Sequence, residues 1–402
     1  MPDAQAIVVG GGPAGSATAA LLAREGHEVL LLDRARFPRD KACAEYLSPA
    51  TADALARIGA LARVEAQGPA RPLGMHLIMR GGSRALVRYP DGTSSRRAMC
   101  LSRRVLDATL LDYARDCGVQ VLEGWQVHHV VSGPGGSTVD ARPVGAPAGA
   151  RRRLAASLVV GADGTRSVVA RSLGLERPLP WPNRVGLVAH VRGVDGLQEY
   201  GEMYVGRGAY CGLAPLPAGL TNVGLVLDAR LYRKPAGLEG AYRLALGRLP
   251  GAAARLEGAR RVGPVRGVAP LARRVSRPAG DGYLLVGDAA GFLDPFTGEG
   301  VFRALRGAEL AAEAASGALR RGDVTAAALA PYRAARGAEF RAKEALCVLI
   351  QGFLLWPPLL AYALRRLERR RRSVDLLGGV LGDYRPAGEA LRPAFLWSLL
   401  RP

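Results

Sequence analysis

The sequence predicts an α/β fold: a lobe built on a parallel sheet, an antiparallel sheet inserted into it, and a helical C-terminal region. Three observations carry that prediction. Residues 6–33 read as strand, glycine turn, helix and strand. Residues 185–228 hold four short alternating segments separated by turn signals. From residue 300 onward the apolar spacing is helical. A chain of 402 residues is long for one core, so two lobes and an appendage are expected.

The first lobe opens with AIVVG (6–10), an unbroken apolar run suited to a strand buried on both faces. Gly10-Gly11-Gly12-Pro13-Ala14-Gly15 then fits GxGxxG at the mouth of a helix, 13–25. Gly10 permits the tight turn, Gly12 lets backbone approach a pyrophosphate, and Gly15 lets helix and strand pack closely. The strand EVLLLD (28–33) closes the unit on Asp33, at the distance expected for an acid holding adenosine ribose hydroxyls, with Arg34 beside it. The unit reads as Rossmann-type but leaves NAD and FAD undecided.

A helix is expected at 48–62, and residues 72–90 alternate like strands up to a turn at Pro90-Asp91-Gly92. Helix 103–117 carries Val105, Leu106, Leu110, Leu111 and Ala114 along one side. Strands near 119–131 and 137–142 lead to an exposed hairpin tip at 143–150. The run at 154–163 returns to the parallel style. VGLVAHVRG, EYGEMYVG, YCGLAPLP and TNVGLVLD predict the antiparallel sheet. Helices near 238–257, a strand near 261–275 and a strand before Asp288 lead back to the first lobe. Helices follow at 300–321, 328–345 and 346–367. The expected division is a discontinuous nucleotide lobe (1–71, 100–175, 280–345), a substrate lobe (72–99, 176–279) and a C-terminal lid or membrane-contact region (346–402).

Residues 284–300, LLVGDAAGFLDPFTGEG, separate the two cofactors. A strand ending near Asp288 places that carboxylate to accept a hydrogen bond from a ribityl hydroxyl. Gly287 and Pro295 shape the loop, and Gly298, Glu299 and Gly300 open the helix. Bare backbone N–H groups and a positive helix end then face the anionic edge of a reduced isoalloxazine. Glu299 either tunes the flavin or faces solvent. Arg103, four residues before Asp107 at a helix start, is placed to neutralise the FAD diphosphate. VVGADGTRSVV (159–169) puts Asp163-Gly164 after a strand. The first lobe is therefore expected to be a Rossmann-type FAD-binding domain.

The formal charge is +20, with lysine only at positions 41, 234 and 343. Such a surface suits anionic lipid or an acidic protein. No basic stripe interleaved with aromatics appears, so nucleic acid is not expected as a partner. Five cysteines without CxxC spacing fit a reducing cytoplasm, and five histidines without ligand spacing predict no metal site. The N-terminus enters its strand with no basic n-region, so no secretory signal is expected. LCVLIQGFLLWPPLLAYAL (346–364) nears membrane-spanning length but is interrupted by Gln351 and Pro357-Pro358, and RRLERRRR (365–372) follows. The segment is expected either to lie peripherally on an anionic, inner membrane face or to dock on the body with a solvated arginine face.

GGGPAG, the Arg103 helix, GADG and GDAAGFLDPFTGEG together resemble the FAD-dependent oxidoreductases whose architecture is shared by aromatic hydroxylases, flavin halogenases and geranylgeranyl reductases. The match spans roughly the first 320 residues. Gly291 stands where the hydroxylases place His, and Val301-Phe302 follows Gly300. The stretch from Ala209 to Pro215 lacks both tryptophans of the halogenase WxWxIP motif. GDAAGFLDPFTGEG and KACAEYLSP (41–49) look most like geranylgeranyl reductases, with Lys41 and Cys43 matching Lys-x-Cys-Gly and Ala44 replacing the Gly. The resemblance implies hydride transfer from reduced FAD to double bonds of a prenyl chain on a lipid or secondary metabolite. The alternative is a monooxygenase or halogenase acting on an aromatic or polyketide product. The reductase resemblance makes Cys43 and Tyr210 the catalytic candidates, with Cys43 either proton donor, pocket wall or a small buried hydrophobe, and Trp181, Tyr204 and Tyr210 either lining an apolar tunnel or packing. Electrons would come from NAD(P)H docking transiently or from an acidic ferredoxin or flavodoxin.

Overall fold

The computed structural model describes residues 2–89, 97–232 and 237–400, so the turn expected at Pro90-Asp91-Gly92 lies outside the described residues. An eight-stranded sheet forms the first lobe. Its main path runs Ala279–Gly280, Tyr283–Leu285, Arg152–Gly161, Ala4–Val9, Val29–Asp33 and Gln120–Glu123. The four central pairings are parallel, with Ala6 opposite both Leu158 and Val29. The hairpin Trp125–Gly133 and Gly136–Pro143 adds to Arg152–Gly161 in antiparallel fashion. Both faces of this sheet are covered, which is why its strands are apolar without alternation. Val8 and Leu31 pack toward helices Pro13–Arg24, Arg103–Asp116 and Gly300–Arg321, while Ile7 and Leu30 pack toward the hairpin.

The second sheet has seven strands: Arg260–Val268, Arg184–Arg192, Leu220–Asp228, Ala209–Leu216, Tyr200–Gly206, Gly74–Met79 and Arg84–Arg88. It is antiparallel except where Tyr200–Gly206 runs parallel to Gly74–Met79, a pairing the alternation pattern does not reveal. One face packs on helices Gly237–Gly247 and Pro250–Arg255. The other faces the nucleotide lobe and the C-terminal helices.

Several boundaries move. The helix expected at 48–62 breaks at Gly59, whose φ of 92° caps Ala50–Ile58 before Leu61–Glu65 begins. The strand expected at 261–275 stops at Val268 and resumes at Arg274–Val275, because Pro270 offers no N–H to a ladder. The helices expected at 328–345 and 346–367 meet elsewhere. A single helix runs Ala330–Leu355 and ends where Pro357-Pro358 forbid its continuation. Pro357–Glu368 then leaves at a bend of 114°, followed by Arg371–Leu381 and Pro393–Leu400. No single helix among the described residues is long and apolar enough to cross a membrane; the bent pair passes by length and composition.

Candidate active site

The glycine turn shapes the first half of the site. A Cβ on Gly15 would lie 1.8 Å from the Gly10 carbonyl oxygen, so helix and strand touch there only because none exists. Gly10 adopts φ 105° against Ala162. Gly12 caps the helix Pro13–Arg24, and a Cβ there would point into space bounded by Arg39 and Arg103, at 3.7 and 3.8 Å. A helix N-terminus facing two guanidinium groups is a pyrophosphate-sized anion site.

Asp107 organises that site. It is fully buried, grips Arg103 at 2.6 and 2.8 Å, and pairs with Arg39 at 2.9 Å. Burial disfavours the Arg103 charge, but Asp107 and Cys43 beside it outweigh burial and raise its pKa. Arg39 has no motif signal and was not anticipated from sequence. Asp33 accepts from Gly11 N–H at 2.7 Å and Ala35 N–H at 2.8 Å, so it braces the turn as well as lining the cleft beside Arg34. Asp163 lines the same cleft. Its Oδ2 accepts from Val168 N–H at 2.6 Å, its buried Oδ1 finds no hydrogen-bond partner among the described residues, and burial pushes the carboxyl up. A Cβ on Gly164 would meet the Lys41 ammonium at 3.2 Å. Lys41 lines both this cleft and the apolar cavity beyond; burial, then Arg103, pull its pKa down against Asp288.

That cavity is bounded on one side by Gly12, Pro13, Ala14, Gly287, Asp288, Pro295, Gly298 and Gly300. The helix Gly300–Arg321 begins here without a side-chain cap, leaving its first N–H groups for a ligand. Two expectations are corrected. The Gly298 N–H is not free, because it closes a turn onto the Pro295 carbonyl at 3.0 Å. Glu299 neither lines the cavity nor faces solvent. It is 5% exposed and turns away to Lys343 at 3.1 Å and Arg303 at 3.4 Å.

The opposite wall is the second sheet. Strand alternation presents Gly186, Val188, Met203, Tyr210, Gly212, Gly224 and Val226 to the cavity. Gly212 sits directly across from Gly224, and Val188 also pairs with Gly224. The missing side chains leave a slot. The same alternation removes Tyr204, which lies on the far face against Gly251 with its hydroxyl on Glu202. Trp181, 37% exposed, does not line the cavity either. Tyr210 does, but its hydroxyl donates to the buried Asp294 at 2.5 Å, and Arg184 stacks over its ring at 5.5 Å. Burial and Asp294 push the Tyr210 pKa well up, so it stays a phenol.

Cys43 lines the cavity, its sulfur near the Glu45 N–H at 3.5 Å and the Arg103 guanidinium. Its loop is clamped by a group that sequence reasoning missed. Glu45, 2% exposed with φ 56°, accepts from Arg103 N–H and Asn222 Nδ2 and pairs with His190 Nε2 at 2.6 Å. Asn222 also donates to the Cys43 carbonyl at 2.9 Å. A histidine and a glutamate 145 positions apart carry no sequence signal.

A profile of the FAD binding domain family matches residues 3–205, half of the chain. The chain belongs to this family. Menaquinone reductase of Mycobacterium tuberculosis is 32% identical over 336 residues, covering 77% of this chain and 76% of that one. Digeranylgeranylglycerophospholipid reductase of Methanosarcina mazei is 29% identical over 352 residues, covering 79% and 76%. The solved structure of the flavin-dependent halogenase CmlS superposes with TM-score 0.75 at 25% identity. It covers 85% of this chain, which spans only 63% of that halogenase. This flavoprotein is an FAD-dependent oxidoreductase, as the motifs led one to expect. The residues fit the cofactor: an anion space between helix end and two arginines, an orphaned Asp163 oxygen along the cleft, and an uncapped helix end at the far cavity.

Proposed function

We propose that this flavoprotein reduces carbon–carbon double bonds in a prenyl chain carried by a lipid or secondary metabolite. The observation that carries the reading is a row of neighbouring, mainly apolar cavities with common walls. The flavin-side cavity shares Tyr46, Met203, Gly212, Pro295 and Gly298 with a second pocket, which shares Leu77, Phe296 and Leu381 with a third. The third lies beneath the C-terminal helices, and the described residues that wall it are all apolar, Leu349, Leu364 and Phe395 among them. Space of this shape and polarity suits a long hydrocarbon better than a compact aromatic ring. Two relatives named as reductases of a menaquinone and of a digeranylgeranyl lipid support it.

Bound FAD, once reduced, supplies the hydride for one alkene carbon. The chain's residues do the rest. The apolar walls exclude water, and the Gly212–Gly224 slot lets the alkene lie close. The N-terminus of the helix from Gly300 favours negative charge beside it. The Cys43 thiol gives a proton to the second carbon and is reprotonated from solvent, while Glu45 and Asn222 hold its loop. Electrons arrive from NAD(P)H or from an acidic ferredoxin or flavodoxin, which a surface of +20 attracts.

The halogenase likeness favours a second reading, oxygen-dependent modification of an aromatic product. One experiment separates the two. The protein is reduced anaerobically with dithionite and given a geranylgeranyl lipid. Flavin reoxidation before air enters, with lipid mass raised by pairs of hydrogens, supports the reductase. Reoxidation only in air, with a hydroxylated or halogenated product, overturns it.

A further inference from the structure

We propose that the corner where the two long C-terminal helices meet is a docking surface for an anionic lipid bilayer. Helix Ala330–Leu355 turns through 114° into Pro357–Glu368. At the corner Leu355 is 57% and Trp356 65% exposed, and Val348, two turns back, is 46% exposed. These are not core residues left outside by poor packing. The inner sides of the same helices bury Leu354, Leu364 and Leu367 against the second sheet. The corner thus presents large apolar groups to solvent from a well-packed support.

The charge around it is positive. Arg80 and Arg207, at strand ends of the second sheet, line a hollow with Leu355, Trp356 and Pro357-Pro358. Six arginines follow at 365, 366 and 369–372. Arg370 donates to the Ser398 carbonyl at 2.5 Å, which brings the exposed Trp397 beside this run. Tryptophan and leucine at a helix corner flanked by Arg80 and Arg207, with the arginine run toward the other end of the same helix, match the apolar-to-anionic gradient of a headgroup region. The helices lie on the bilayer rather than cross it, because their inner sides are committed to protein.

The proposal does not depend on the substrate reading. It is tested with the full-length, FAD-loaded protein and vesicles of phosphatidylcholine, alone or mixed with phosphatidylglycerol. Sedimentation with the mixed vesicles should exceed that with phosphatidylcholine by about tenfold and fall with added salt. The double variant Leu355→Asp/Trp356→Asp should lose that binding while keeping its flavin spectrum and melting temperature. With brominated lipid, wild-type tryptophan emission should be quenched, and Trp356→Phe should remove much of the quenching. Equal sedimentation of variant and wild type overturns the proposal. So does a variant whose only change is loss of self-association, which would assign the corner to a second copy.

Discussion

At Gly15 a single carbon decides whether the cofactor is held. Gly15→Ala places a methyl 1.8 Å from the Gly10 carbonyl, so the turn must open. Purified Gly15→Ala should carry less than about a tenth of the wild-type flavin absorbance, because a shift near one ångström exceeds what a bidentate phosphate cradle tolerates. Gly224 makes the contrasting case. A Cβ there meets Ala44 at an ordinary 3.4 Å, so the backbone accepts a side chain. Gly224→Leu should keep its FAD but fill the slot, cutting anaerobic alkene turnover by about a hundredfold. If Gly224→Leu turns over normally, the alkene does not lie against the second sheet. The turn glycines were legible in sequence because each requirement spans only a few positions. Cys43 and Tyr210 line the cavity, while Tyr204 takes the packing role that was the other reading of these aromatics. Its spacing from Tyr210 is even, yet the two sit on different strands with opposite parity toward the cavity.

Among the elements, the tie between the cofactor loop and the C-terminal helices runs through Lys343. Its ammonium meets Glu299, Asp383 and the Val380 carbonyl, in a site where Lys343 is 8% exposed. Lys343→Met strands two buried carboxylates and should cost about 3–5 kcal/mol in urea denaturation. Burial, only partly offset by Lys343, raises Asp383 to about 6 from 3.8. A carboxyl raised on folding is favoured protonated. Its stabilising contribution is therefore present below about pH 4 and lost as pH climbs toward about 6. The stability of the wild type relative to Asp383→Asn should thus rise when pH is lowered from about 7.5 to about 5, read from paired urea melts. An unchanged or reversed difference would contradict the raised carboxyl. Glu299 was singled out in sequence, but its partner lies in another helix 44 positions on, and no local pattern announces that pairing. The helix break was misplaced for a related reason. Apolar composition changes at residue 346, whereas the backbone is stopped only by Pro357.

The whole molecule sets what can lie across the flavin. Three pockets lie side by side, with common walls, because the second sheet, the cofactor loop and the C-terminal helices converge. Leu364→Trp, in the pocket that shares no lining residue with the flavin-side cavity, should reduce turnover of a 20-carbon prenyl substrate by about tenfold and leave a 10-carbon one unchanged. Mass spectrometry of the products reads the difference, and equal loss on both chains would remove the distal pocket from the substrate path. The nucleotide lobe, the flavin and the family were all readable from contiguous residues. A tight turn, a phosphate cradle and a helix end are local demands, met by glycines and charges within one stretch of chain. The facing wall was decided by tertiary structure alone. Strand parity chooses which residues look inward, and burial joins Glu45 to His190 and Glu299 to Lys343 across distances that leave no trace in sequence.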